Sequence, residues 1–186
     1  MDMTASPLGT ALAAQHHNYF YMDTNLVQYF ISEIKSENRA TRKCLERIPA
    51  STYKYKPHEK SMEMGYLTLL VADIPRWITY IIKETIIDFA TYPQFKLSDT
   101  EALLKHYDEN IAGAISALEN LTEAQLKDKF ELKNSGQLLY SQDKMPAIGD
   151  AINHWVHHRG QLTVYMRMND IAVPSIYGPS ADEKTF

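Results

Sequence analysis

The chain has 186 residues, 45% hydrophobic and 23% charged, with a net charge of −4 at pH 7. That predicts one globular domain with a sizeable core, and the lack of a basic block excludes nucleic acid and anionic membrane as expected partners. A single cysteine, Cys44, excludes an intramolecular disulfide; with no apolar run near the ~18 residues of a membrane span and no basic start to the N-terminus, a cytoplasmic protein is expected.

Residues 1–23 read as an N-terminal arm. The first helical segment runs from about 24 to 48, capped by Thr24 or Asp23, with Val27, Phe30, Ile31, Ile34, Leu45 and Ile48 near one stripe. Cys44 lies mid-helix among charged neighbours and reads as a packing residue. Residues 49–60 form a polar loop. The second segment runs from about 61 to 89, starts at Ser61 and points Leu67, Leu70, Ile74, Trp77, Ile78 and Ile81 inward. Pro75 removes the bond to the carbonyl of Val71, so a kink is expected there. The third segment begins at Ser98-Asp-Thr-Glu, which reads as a capping box with Ser98 as cap and Glu101 three residues on. Leu104, Tyr107, Ile111, Ile115 and Leu118 form its expected inner face.

Residues 122–144 hold two short alternating runs around Asn134-Ser-Gly136, an irregular segment or a small hairpin. The fourth helix runs from Met145 or Pro146 to Asp170, and residues 171–186 form a Pro- and Gly-containing tail. There is no internal repeat. The expected architecture is all-α: a single-domain four-helix bundle with a short irregular or hairpin segment before the last helix.

The fourth helix carries three of the seven histidines, in His154-Trp-Val-His157-His158. At about 100° per residue, His158 lies about 40° from His154, one turn on, at the edge of the apolar face. His157 falls on the other side. Ala147 and Ala151 leave room along the same edge. Spacing of i, i+4 lets two imidazoles converge on one metal ion, but it also occurs in hydrogen-bonded histidines at a core edge. Arg159 and Gln161 read either as residues that orient the histidines or as partners of a neighbouring helix. No HExxH, Glu-x-x-His, P-loop or GxGxxG is present.

The stretch NHWVHHRGQLTVYMRMNDIAVPSIYGPSADE (153–183) resembles the C-terminal signature of the DinB (DinB/YfiT-like) superfamily, and PHEKSMEMGYL with VADIPRW (57–77) resembles its second-helix motif. The resemblance implies a four-helix bundle, often a homodimer, with nickel or zinc held by three histidines. Two of these match His154 and His158. The third falls on Leu70, which has no donor atom. Asp73, one turn along, is the best-placed substitute; Glu63 and His58 are less well placed. Relatives include thiol S-transferases that use low-molecular-weight thiols, in which the metal generates a thiolate.

Three functions follow as expectations. The favoured one is a non-catalytic member that binds a small molecule, with a pocket of Leu70, Trp77, Trp155 and Tyr165 and with weak or absent metal. The alternatives are a divalent-metal-dependent thiol transferase using His154 and His158, and a purely structural dimeric bundle.

Overall fold

The computed structural model describes residues 25–184. The expected N-terminal arm, the Thr24 or Asp23 cap and the last two residues of the tail lie outside them. Four long helices form the bundle: α1 (Leu26–Glu46), α2 (Met64–Lys83), α3 (Thr100–Glu119) and α4 (Lys144–Met168). Among the described residues none is long and apolar enough to cross a membrane.

Asn25 caps α1, its side chain accepting from the Gln28 N–H at 3.1 Å. The expected α1 stripe is buried throughout, and Cys44 is fully buried within it. Burial pushes the Cys44 thiol up to about 12, which keeps it inert as a nucleophile. In α2 the helix runs on through Pro75. It starts at Met64 rather than Ser61, and it stops at Lys83 rather than near Phe89, because Thr85 adopts a left-handed φ of 60°. The Glu84 and Thr85 N–H groups both close back on the Tyr80 carbonyl, at 2.9 Å each.

The cap of α3 is Asp99, not Ser98: Asp99 accepts from the Ala102 N–H at 2.9 Å, while the Ser98 hydroxyl donates to the other Asp99 oxygen at 2.8 Å. The stronger acceptor takes the helix N–H. The buried face of α3 is also rotated from the expected one. Leu103, His106, Tyr107, Asn110, Ile111, Ala114 and Leu118 are buried, while Leu104 and Ile115 are only partly covered.

The fold is not purely helical. A three-stranded sheet, in the order β1 (Ile86–Asp88), β2 (Lys129–Asn134), β3 (Gln137–Asp143), flanks the bundle. The expected hairpin is β2–β3, turning through Ser135 and Gly136 at φ 52° and 79°. Two consecutive positive φ values are what a tight hairpin turn requires. Strand β1 pairs parallel to β2, with Ile87 opposite Leu132. The Asp88 carboxylate ties the turn down by accepting from Ser135 N–H (2.9 Å) and Gly136 N–H (2.7 Å).

The tail crosses back over α1 and α4. Asp182 accepts from Arg167 and from the Val173 N–H (2.8 Å), and Glu183 pairs with Arg47 and accepts from the Ser175 N–H (3.0 Å). Beneath it lies a buried ion pair. Arg159 of α4, 2% exposed, reaches Glu37 Oε2 of α1 at 2.5 Å and Thr41 Oγ1 at 3.1 Å. Tyr177 closes over this pair: its hydroxyl accepts from Arg159 at 2.7 Å and donates to Glu37 at 2.8 Å. Of the two readings of Arg159, the structure gives it the neighbouring helix.

Candidate functional site

Helix α4 presents His154 and His158 on one edge because they stand four residues apart. Their Nε2 atoms are 2.8 Å apart. Gln161, a turn further on, sets the tautomers. An amide oxygen only accepts, so His158 Nδ1, 2.8 Å from Gln161 Oε1, carries a hydrogen. In neutral His158, Nε2 is then the lone-pair nitrogen and accepts from His154 Nε2–H. The Gln161 amide nitrogen faces the exposed His157 Nε2 at 3.0 Å. Burial lowers the pKa of His154, helped by His158 and then His157. Burial also lowers that of His158, against the raising effect of the Gln161 bond. Both rings are therefore neutral near pH 7.

Two imidazoles on one ion at ~2.1 Å would place their nitrogens about 3.0–3.4 Å apart, the lower figure for an octahedral and the upper for a tetrahedral ion. The pair is thus close to a two-nitrogen metal grip, with His158 held by Gln161 as ligating histidines usually are. A third donor is another matter. Leu70 is half-buried on α2 and lines a small cleft of about 120 Å³ with Asp73, Trp77 and Phe89. The Asp73 carboxylate is engaged elsewhere: it accepts from His106 Nε2 at 2.8 Å and from the Tyr92 hydroxyl at 2.9 Å, with Arg76 at 3.5 Å. Among the described residues no three of His, Cys, Asp or Glu are grouped so as to hold a metal ion.

The Asp73 network was not foreseen. Phe95 stacks on His106 with centroids 4.0 Å apart, and Asn110 donates to the Ala72 carbonyl beside it at 3.0 Å. Burial, then the Asp73 charge, raises the pKa of Tyr92 and keeps it a donor. The available signal was His106 and Asn110 at i, i+4 on α3, flanking its apolar stripe.

Next to His154 opens a larger cleft of about 340 Å³. Trp77 and Ile81 of α2, Phe89, Phe130 and Leu132 of β2 and Tyr140 of β3 form its walls, and Ala147, Asp150, Ala151 and His154 of α4 complete it. The Trp77 ring meets His154 edge-on at 5.5 Å and Phe89 at 5.9 Å. Trp77 and Phe89 line both clefts and so divide them.

The expected pocket residues separate. Trp77 lines the larger cleft and Leu70 the smaller one. Trp155 is fully buried, packed on Tyr107 of α3 at 6.2 Å, and lines neither cleft. Tyr165 is 8% exposed, stands edge-on to Tyr55 at 6.1 Å and donates to the Met62 carbonyl at 3.3 Å. Wide aromatics at helical spacing on a core helix are drawn to the interior, and of the three only Trp77 borders the cleft beside His154.

Comparison with known proteins places the chain among relatives of undetermined activity. The DinB family model matches residues 22–185. The uncharacterized protein YjoA of Bacillus subtilis is 29% identical over 139 residues, 74% of this chain and 86% of YjoA. YrdA of the same organism, also uncharacterized, is 56% identical over 32 residues, 17% of this chain and 19% of YrdA. The crystal structure of YjoA, a DinB-like protein, superposes with a TM-score of 0.63 at 25% identity, covering 84% of this chain and 99% of YjoA. A DinB-like protein from Bacillus cereus shares the fold at a TM-score of 0.62 and 21% identity, covering 81% of this chain and 97% of its own.

Proposed function

The chain belongs to the DinB family, and from that premise we propose that it is a member that binds a small molecule without catalysing a metal-dependent reaction. The observation that carries this is the company of the His154–His158 pair. Beside it lies a cleft large enough for a small ligand. Leu70 occupies the position from which the family resemblance would supply a third histidine. Asp73, the natural substitute, spends both carboxylate oxygens on His106 and Tyr92. Moving it to the histidine pair would break two hydrogen bonds at a partly buried carboxylate, each of which stabilises a charged acceptor by roughly 1.5–3 kcal/mol. Two imidazoles with water hold nickel or zinc more weakly than three.

One observation favours a second reading, a metal-dependent thiol transferase. Gln161 presets His158 with its Nε2 lone pair turned towards His154, the arrangement a ligating histidine needs. In that reading His154 and His158 hold the ion, whose chemistry is to lower the pKa of a thiol.

Metal content of untagged protein decides between them. The binding reading expects far less than one equivalent of nickel or zinc in the wild type, and near-stoichiometric metal in Leu70→His. Near-stoichiometric metal in the wild type that disappears in His158→Ala would overturn it in favour of the transferase.

A further inference from the structure

The larger cleft is chemically lopsided. Four aromatic rings face it, from Trp77, Phe89, Phe130 and Tyr140. Among the described residues, no lysine or arginine lines it, and its one formally charged group is the carboxylate of Asp150. Asp150 sits one turn before His154 on α4, exposed at the rim. It accepts from Gln142 Nε2 at 3.0 Å, a neutral partner, and its charge is not matched by a cation there. The Tyr140 phenol is raised in pKa by burial and then by Asp150, so it stays protonated and its ring stays neutral.

The rings make two walls. Trp77 and Phe89 stand at 51° to each other, 5.9 Å apart, and Phe130 and Tyr140 at 67°, 6.3 Å apart. An aromatic face carries the negative lobe of its quadrupole. A cation over such a face is attracted, and the attraction grows as water is excluded. The carboxylate at the rim adds an attraction of the same sign. An anion would be repelled by Asp150 and by any ring face it lay over. A neutral apolar molecule would gain burial but nothing from the charge.

Resting on the reading of the cleft as a ligand site, we infer that its ligand is an organic cation: an ammonium group, primary or quaternary, on a small aryl or alkyl body. A volume of about 340 Å³ lies at the small end of ligand pockets. The apolar body lies against Ile81, Leu132 and the two alanines, and the cationic head faces Asp150.

The test uses three probes of matched shape, 2-phenylethylammonium, 2-phenylethanol and phenylacetate, titrated into the whole protein. Binding is read by tryptophan fluorescence and by the NMR shift of the Trp77 indole. Trp77 is half-buried in the wall, whereas Trp155 is fully buried in the core. The ammonium binds about tenfold or more tightly than the alcohol, and phenylacetate binds weakest. Asp150→Asn, a change at an exposed helical position, lowers the ammonium's affinity about tenfold and leaves the alcohol's unchanged. An ammonium no tighter than the alcohol, or equally tight in Asp150→Asn, overturns the inference while leaving the cleft a ligand site. If none of the three binds by either readout, both the inference and the binding reading fall.

Discussion

Replacing Arg159 by methionine tests the interior most severely. The guanidinium is 2% exposed and Glu37 is 5% exposed, so the change strands a carboxylate between α1 and α4. Among the described residues, Glu37 keeps only the Tyr177 hydroxyl as a side-chain donor. Breaking a buried pair from one side costs about 3–5 kcal/mol. At about 2–4 °C per kcal/mol for a chain of this size, Tm falls by roughly 10 °C. Glu37→Leu is milder. The stranded guanidinium retains Thr41 Oγ1, the Tyr177 oxygen and the Glu37 main-chain carbonyl, at 3.1, 2.7 and 3.2 Å. The double variant leaves no buried charge unpaired and comes back to within about 1 kcal/mol of wild type, because an apolar pair of similar volume often matches a buried ion pair. Urea melts followed by circular dichroism give the four corners of the cycle. If Arg159→Met costs less than about 1 kcal/mol, or the double variant loses the sum of both singles, the pair is not the closed unit described above.

Two further outcomes are expected. Arg47, then the Ser175 N–H, holds the Glu183 carboxyl down at about 2 from its ordinary 4.5. A depressed carboxylate stabilises above its unfolded value and ceases to as pH falls through its folded one. The Tm difference between wild type and Glu183→Gln therefore shrinks to nothing between pH 4.5 and about 2, and a difference that stays constant over that range refutes the pairing of Glu183 with Arg47. In Gly65→Ala, the new methyl would sit 2.8 Å from Tyr53 Cβ and 3.2 Å from the Tyr53 carbonyl. The Gly65 N–H bonds that same carbonyl at 2.9 Å, so the two segments cannot simply part. The overpacking costs about 1–3 kcal/mol in denaturant melts despite alanine's better helix propensity; a more stable variant overturns it.

The helices were legible in the sequence because their apolar periodicity is local. The α1 stripe from Val27 to Ile48 is buried as read. The hairpin was legible as one of two options, since Ser135-Gly136 marks a turn without saying what flanks it. Strand β1 was not legible: Ile86–Asp88 is three residues long, and its partner lies 45 positions away, across all of α3. Within Ser98-Asp-Thr-Glu three side chains can cap, and only the backbone decides between them. At the site, the angle between His154 and His158 was readable from spacing alone. The destination of Asp73 was not, because His106 and Tyr92 come from other segments. Arg159 stood about 140° from His154, just past the apolar stripe, so its burial was within reach. Its partner on α1 was not.

The parallel pairing of β1 with β2 also sets an order of events. The helices can nucleate on contacts close in sequence, but Ile87 meets Leu132 only after the whole of α3 has been closed into a loop. One side of the larger cleft, Trp77 and Phe89, belongs to the chain before that loop, and the other, Phe130, Leu132 and Tyr140, to the chain after it. The cleft is therefore complete only once the sheet has paired. An opening of the sheet alone would erase it while the four helices stayed packed, so whatever occupies the cleft also reports on, and favours, the completed chain.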